Sequence, residues 1–209
     1  MDFKKMEYEL SAEGAESSRK ADAYLDSLRR RNAKFEFHLP RYSELIPFPI
    51  YMSQLLNIVD SALEPFTVPG EEKIITKAMI NNYVQKKVIM PPQDKKYDRS
   101  HIIHLIVIGI LKQIITIEEI TQVIQMQLAK YPKISIAYNF FCIALEDALN
   151  ASFNGISPQD RNRKHRPPTM LSEIIESCVM AFSNRVYVRK ALYMSKAAEA
   201  AKSINGIKK

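Results

Sequence analysis

The chain reads as all-α, a helical bundle, and three observations predict it. Apolar residues recur at helical spacing in successive segments, from Tyr51, Leu55, Ile58, Val59 and Leu63 early on to Ile174, Ile175, Cys178, Val179, Phe182 and Val186 late. Prolines (Pro40, Pro47, Pro49, Pro65, Pro69, Pro132, Pro167, Pro168) fall between these segments. No internal repeat and no strong hairpin signal competes with that pattern. With 209 residues, 46% of them hydrophobic and 25% charged, one domain with its own core is expected, and neither disorder nor a membrane class is favoured.

Taken in order, residues 1–34 are polar, with basic and acidic side chains nearly balanced, and predict a peripheral tail. Tyr24, Leu25 and Leu28 share helical spacing there and suit a short amphipathic helix docked on the body, while the run Arg29 to Arg31 either touches phosphates or is solvated. Residues 35–130 hold the helix-turn-helix region argued below. Its first core helix spans Tyr51 to Leu63, broken by Pro65, Pro69 and Gly70. Arg99 to Lys112 is apolar on nearly every side and too long for an ordinary strand, which predicts a buried central helix. Thr116 and Glu119 stand at capping-box spacing and start a helix that runs to about Lys130, before Pro132. In residues 131–209, a C-terminal helical region, helices are expected over Ser135 to Phe153 and Met170 to Lys202, packing on the rest and serving dimerisation. The basic loop between them holds Arg161, Arg163, Lys164 and Arg166, read as a solvated connector ahead of a second phosphate contact.

The segment 76–88 carries the functional signal. With Thr76 as N-cap, Met79, Ile80, Tyr83 and Val84 fall on one side of the helix, and Ala78, Asn81, Asn82 and Gln85 on the other, flanked by Lys77 and Lys86. A water-facing helix favours Glu, Lys, Arg and Gln, whereas Asn is a mediocre helix former. Asn and Gln do carry the paired donor and acceptor that meet adenine N6 and N7 in a major groove, and Ala can lie against a thymine methyl. No acidic residue occurs from Lys73 to Gln93, so a polyanion meets no repulsion. After Pro91 and Pro92 comes a short basic turn with Lys95, Lys96, Tyr97 and Arg99, and then a helix capped near Asp98 or Ser100. This is the order of a recognition helix followed by a very short wing.

Two resemblances attach to these residues. The span "TKAMINNYVQKKVIMPPQDKKYDRSHIIHLIVIGILKQIITIEEITQVI" resembles the MerR-like winged helix-turn-helix, with Asn81 and Asn82 where that family carries Arg before its helix tyrosines, and with the Gly-rich wing shortened to Gln93 to Lys96. "LPRYSELIPFPIYMSQLL" together with "ITKAMINNYVQKKVIMPPQDKKYDRSHIIHLIVIGILKQIITIEEI" resembles the bacterial domain-of-unknown-function family 1836, from Leu39 to about Leu192. That resemblance implies a cytoplasmic bacterial protein with a role in transcriptional regulation, and it brings no catalytic residues.

Enzyme chemistry is not expected. There is no Gly-rich phosphate loop, Glu146 and Asp147 are adjacent and point to different sides of their helix, and the HxxH of His101 and His104 lacks a completing ligand set, so no cofactor and no metal are expected. Cys142 and Cys178 lie in apolar stretches and fit a reducing compartment. The N-terminus has no secretory h-region and no apolar run is long enough for a membrane span, which together predict a cytoplasmic protein without a membrane partner. A net charge of +7 suits an anionic partner. The expected function is a sequence-specific DNA-binding regulator, a repressor acting as a homodimer on double-stranded DNA. The alternative is a helical protein-interaction module without DNA binding.

Overall fold

The computed structural model describes residues 37–154 and 169–206. The tail 1–34 and the basic loop Arg161 to Arg166 lie outside the described residues. Six α-helices carry the described chain: α1 (Met52–Leu63), α2 (Lys77–Gln85), α3 (Arg99–Leu111), α4 (Ile117–Lys130), α5 (Ile134–Asn154) and α6 (Met170–Gly206). One two-stranded antiparallel sheet accompanies them, β1 (Ile50–Tyr51) with β2 (Lys96–Tyr97), in the register Ile50 to Tyr97 and Tyr51 to Lys96.

The helix α3 is the axle of the fold. Ile102, Leu105, Ile106, Ile108, Ile110 and Leu111 are all buried, so this helix is covered on every side by α1, α4, α6 and the strand pair. Gly109 marks its closest approach: a Cβ there would stand 2.6 Å from Leu63 Cδ1 and 3.3 Å from Ile74 Cγ2, so the end of α1 and the segment leading to α2 sit directly against the helix backbone. The start of α3 is fixed by Asp98, whose carboxylate accepts from the His101 N–H at 3.2 Å. Thr116 and Glu119 form the expected capping box ahead of α4, with Glu119 accepting from the Thr116 N–H at 2.7 Å.

The C-terminal helices close the same core. Phe182 of α6 meets Phe66 edge-on at 5.0 Å between ring centroids, and Phe66 in turn meets Phe37 at 4.7 Å, so α6 reaches through to the short turn after α1. Ser183, fully buried, donates to the Ala148 carbonyl at 2.9 Å and joins α6 to α5. The N-terminal stretch is clamped by Arg41, whose guanidinium forks onto Glu146 of α5, with one contact at 2.7 Å. That hydrogen-bonded carboxylate raises the Arg41 pKa above its ordinary value, although burial works the other way.

Two expectations need correction here. The helix placed over 76–88 is helical only from Lys77 to Gln85. It ends because Lys87 turns into the left-handed region at φ 57°, where its N–H donates to the Val84 carbonyl at 3.0 Å and the Val88 N–H donates to the Tyr83 carbonyl at 2.9 Å. That pair of bonds is a Schellman stop. A hairpin is also present where no strong signal for one was read. Gln93 and Lys96 exchange both backbone hydrogen bonds, at 2.8 and 3.1 Å, around Asp94 and Lys95, whose φ angles of 50° and 61° have the sign of a type I′ turn.

Candidate nucleic-acid interface

The sequence from Thr76 to Arg99 folds into one surface feature, α2 followed by the small hairpin. Buried Ile80 and Tyr83, with half-buried Met79 and Val84, seat α2 on the core. Lys112, at the end of α3, donates to the Ile74 carbonyl and to Met79 Sδ, pinning the start of α2 from beneath. Burial pushes the Lys112 pKa down. Thr76 is the N-cap, half-buried, its hydroxyl accepting from the Met79 N–H at 3.3 Å.

The outer side of α2 is composed as the spacing requires. Ala78, Asn81, Asn82 and Gln85 are all exposed, and Lys77 and Lys86 are exposed beside them. The hairpin tip adds exposed Lys95 and Lys96, the latter lying 5.5 Å from the centre of the Tyr51 ring. Lys87, one of the basic residues of the acid-free stretch from Lys73 to Gln93 though not among the expected contacts, is exposed as well. Nearby acids are few and mostly engaged. Asp60 pairs with Lys73, Glu71 pairs with Arg189 and Asp98 is tied to His101, whereas Glu72 and, at the hairpin tip, Asp94 are exposed.

Two residues grouped with this surface belong elsewhere. Tyr97 is 5% exposed, because its place opposite Ile50 in the strand pair turns it inward, edge-on to His101 at 5.3 Å; burial pushes its hydroxyl pKa up. Arg99 is half-buried and already occupied. Its guanidinium donates to the Leu45 carbonyl at 2.9 Å and lies 4.4 Å from the centre of the Tyr42 ring, so it fastens the segment before β1 to the start of α3.

Beneath the hairpin, His101 joins the exit of α2 to the start of α3. Its Nε2 is 3.1 Å from the Met90 carbonyl, and its Nδ1 is 2.7 Å from the Asp98 carboxylate. Burial raises the Asp98 pKa, but the hydrogen bonds from His101 outweigh it and hold the carboxyl below its ordinary range. His104, one turn on, has its pKa lowered mainly by burial.

Chemically, the arrangement offers exposed amide donors and acceptors on one helix and cations at both ends of it. No group of three or more metal-ligating side chains occurs among the described residues, and no helix among them is long and apolar enough to cross a membrane. Residues 40–141 match the model of a family described as a domain of unknown function, DUF1836. The matched span holds β1, the helices α1 to α4, the hairpin and the first part of α5. No curated protein and no solved structure matches the chain.

Proposed function

We propose that this protein is a sequence-specific DNA-binding regulator, a repressor whose helix α2 enters the major groove. The observation that carries the reading is the composition of the one exposed side of α2: Ala78, Asn81, Asn82 and Gln85 in the middle, Lys77 and Lys86 at the ends, and no carboxylate among them. Amides can bond bidentately to adenine, the alanine methyl suits thymine, and the lysines meet phosphates. Strand, helix, helix, hairpin and helix follow in the order of a MerR-like winged helix-turn-helix, with Lys95 and Lys96 on the wing. The connection from Leu63 to Lys77 is longer than the turn of about 3–4 residues in a simple helix-turn-helix.

The protein works as a homodimer in this reading, because two-fold symmetry matches paired half-sites. Among the residues of α6 whose side chains are described, Val186 is the last that is buried, and beyond it Val188 and Leu192, one turn apart, are both more than half exposed, leaving an apolar strip for a second copy. A second reading, a helical protein-interaction module, draws on exposed Leu128, Ile136 and Ile143 on α4 and α5.

Selection of bound duplexes from a random-sequence pool tests the proposal, with the double variant Asn81→Ala, Asn82→Ala beside the wild type. The expected result is an enriched motif that relaxes in the variant, with a loss of about 1–3 kcal/mol in discrimination per bidentate contact. Failure to enrich any duplex at low salt would overturn the DNA reading and favour the protein-interaction module.

A further inference from the structure

We propose that Lys87 and Lys95, held in left-handed backbone conformations on either side of Met90 to Pro92, grip the sugar–phosphate backbone beside the groove that α2 enters. The proposal rests on the reading of α2 as a DNA-binding helix followed by a wing that carries Lys95, and adds to it Lys87 and the fixed backbone placement of both lysines.

The reason begins with backbone cost. Among the described residues, Lys87, Asp94 and Lys95 are the only non-glycine residues with positive φ. Lys87 occupies the stop position after α2, and Lys95 the second central position of the hairpin turn. Both are places where glycine has the lower energy and is the usual choice, since it lacks the Cβ that crowds the left-handed region. Lysine at both positions forgoes the lower backbone energy of glycine and places a charged side chain there instead.

The backbone of each lysine shapes a turn, but neither side chain serves the fold. Both are exposed, and neither has a carboxylate partner among the described residues. Each is instead placed firmly, because the Val88 to Tyr83 and Lys87 to Val84 bonds fix one backbone turn and the reciprocal Gln93 and Lys96 bonds fix the other. Strained positions over-determined in this way belong to contact sites more often than to silent surface. The neighbourhood agrees. Lys86 and Lys96 add charge against the single exposed acid of the turn, Asp94, while Tyr51, 56% exposed, lies beside Lys96, and Met90, in the segment between the two turns, is 74% exposed. A basic strip with apolar flanks fits phosphates alternating with deoxyribose, and positions the protein without reading sequence.

The test uses the full chain with Lys87→Gly and Lys95→Gly, singly and together, and with Lys87→Asn plus Lys95→Asn as a second double variant, since Asn tolerates the left-handed region without glycine's flexibility. Thermal unfolding is measured first, then binding to the selected duplex and to a scrambled duplex over a salt series. Glycine should raise the melting temperature by about 2–4 °C per site. Affinity should fall about tenfold in either double variant, equally for both duplexes, and the slope of log affinity against log salt should become shallower by about 2. Unchanged affinity and slope in the double variants, with Asn81→Ala, Asn82→Ala still losing selectivity, would overturn the lysine grip and leave the reading of α2 standing. A wild type that binds neither duplex overturns both.

Discussion

Arg99 separates a charge used inside a fold from one offered to a partner. A guanidinium has five donors in a fixed plane, and here two of them go to main-chain carbonyls, Leu45 at 2.9 Å and Ile46 at 3.4 Å, with Tyr42 under the plane. Removing the side chain leaves both carbonyls without that donor and uncovers the ring. Arg99→Ala is therefore expected to lower stability by about 2 kcal/mol in a denaturant titration. Because no phosphate contact is lost, the salt slope of DNA binding should match the wild type. A shallower slope at undiminished stability would return Arg99 to the DNA surface. Lys77, Lys86, Lys95 and Lys96 present the contrast, being exposed and without a carboxylate partner among the described residues.

At the scale of elements, α2 is a helix of 9 residues, too short to persist alone in water, where isolated helices need roughly 12–15 residues. It stands because Thr76 caps one end, the Lys87 turn stops the other, and Ile80 and Tyr83 are buried beneath it. The hairpin behind it depends on the start of α3, where Asp98 caps the helix and holds His101. The folded Asp98 carboxyl is more acidic than in the unfolded chain, so its contribution is present above the ordinary carboxylate range and is lost as pH falls through the folded value. Asp98→Asn keeps a capping oxygen but cannot titrate. Its melting temperature should fall less steeply than the wild type below about pH 4, and parallel curves would show that the cap does not couple to acid unfolding. The helices were legible because apolar spacing repeats over several turns, and the caps at Thr76, Asp98 and Thr116 because small polar residues precede each run. The hairpin was not, since its turn is Asp–Lys where Asn–Gly or Asp–Gly would announce it. Tyr97 and Arg99 sit in a basic stretch that reads as surface, yet their orientation is set by Ile50 and Leu45, some 50 residues earlier, which no local pattern reports.

At the scale of the whole molecule, the family match and the core have different limits. The match ends at residue 141, inside α5, whereas one continuous set of buried side chains runs from Leu39 to Val186. Phe66, in the turn between α1 and α2, is covered by Phe182 of α6, and Glu146 of α5 holds Arg41. Cutting the chain after residue 141 would strip Phe182, Val179, Val186 and Leu145 from that core, all of them essentially unexposed. Losing even one such large side chain costs about 3–5 kcal/mol, against a total of about 5–15 kcal/mol for a typical domain, so the matched segment is not expected to keep its tertiary structure by itself. A fragment comprising residues 1–141 is expected to lack a cooperative thermal transition and dispersed amide resonances, while Phe182→Ala in the full chain should lower stability by about 3–5 kcal/mol and speed amide exchange in α1 and α3 as well as in α6. If the fragment instead melted cooperatively and Phe182→Ala loosened only α6, the seating of α2 would depend on α1 and α3 alone. Under the first outcome the support of α2, the helix proposed to face DNA, extends through the core to α6, whose exposed Val188 and Leu192 are proposed to meet a second copy, and in such a dimer the pairing of two chains would be felt at α2 through contacts already present in each.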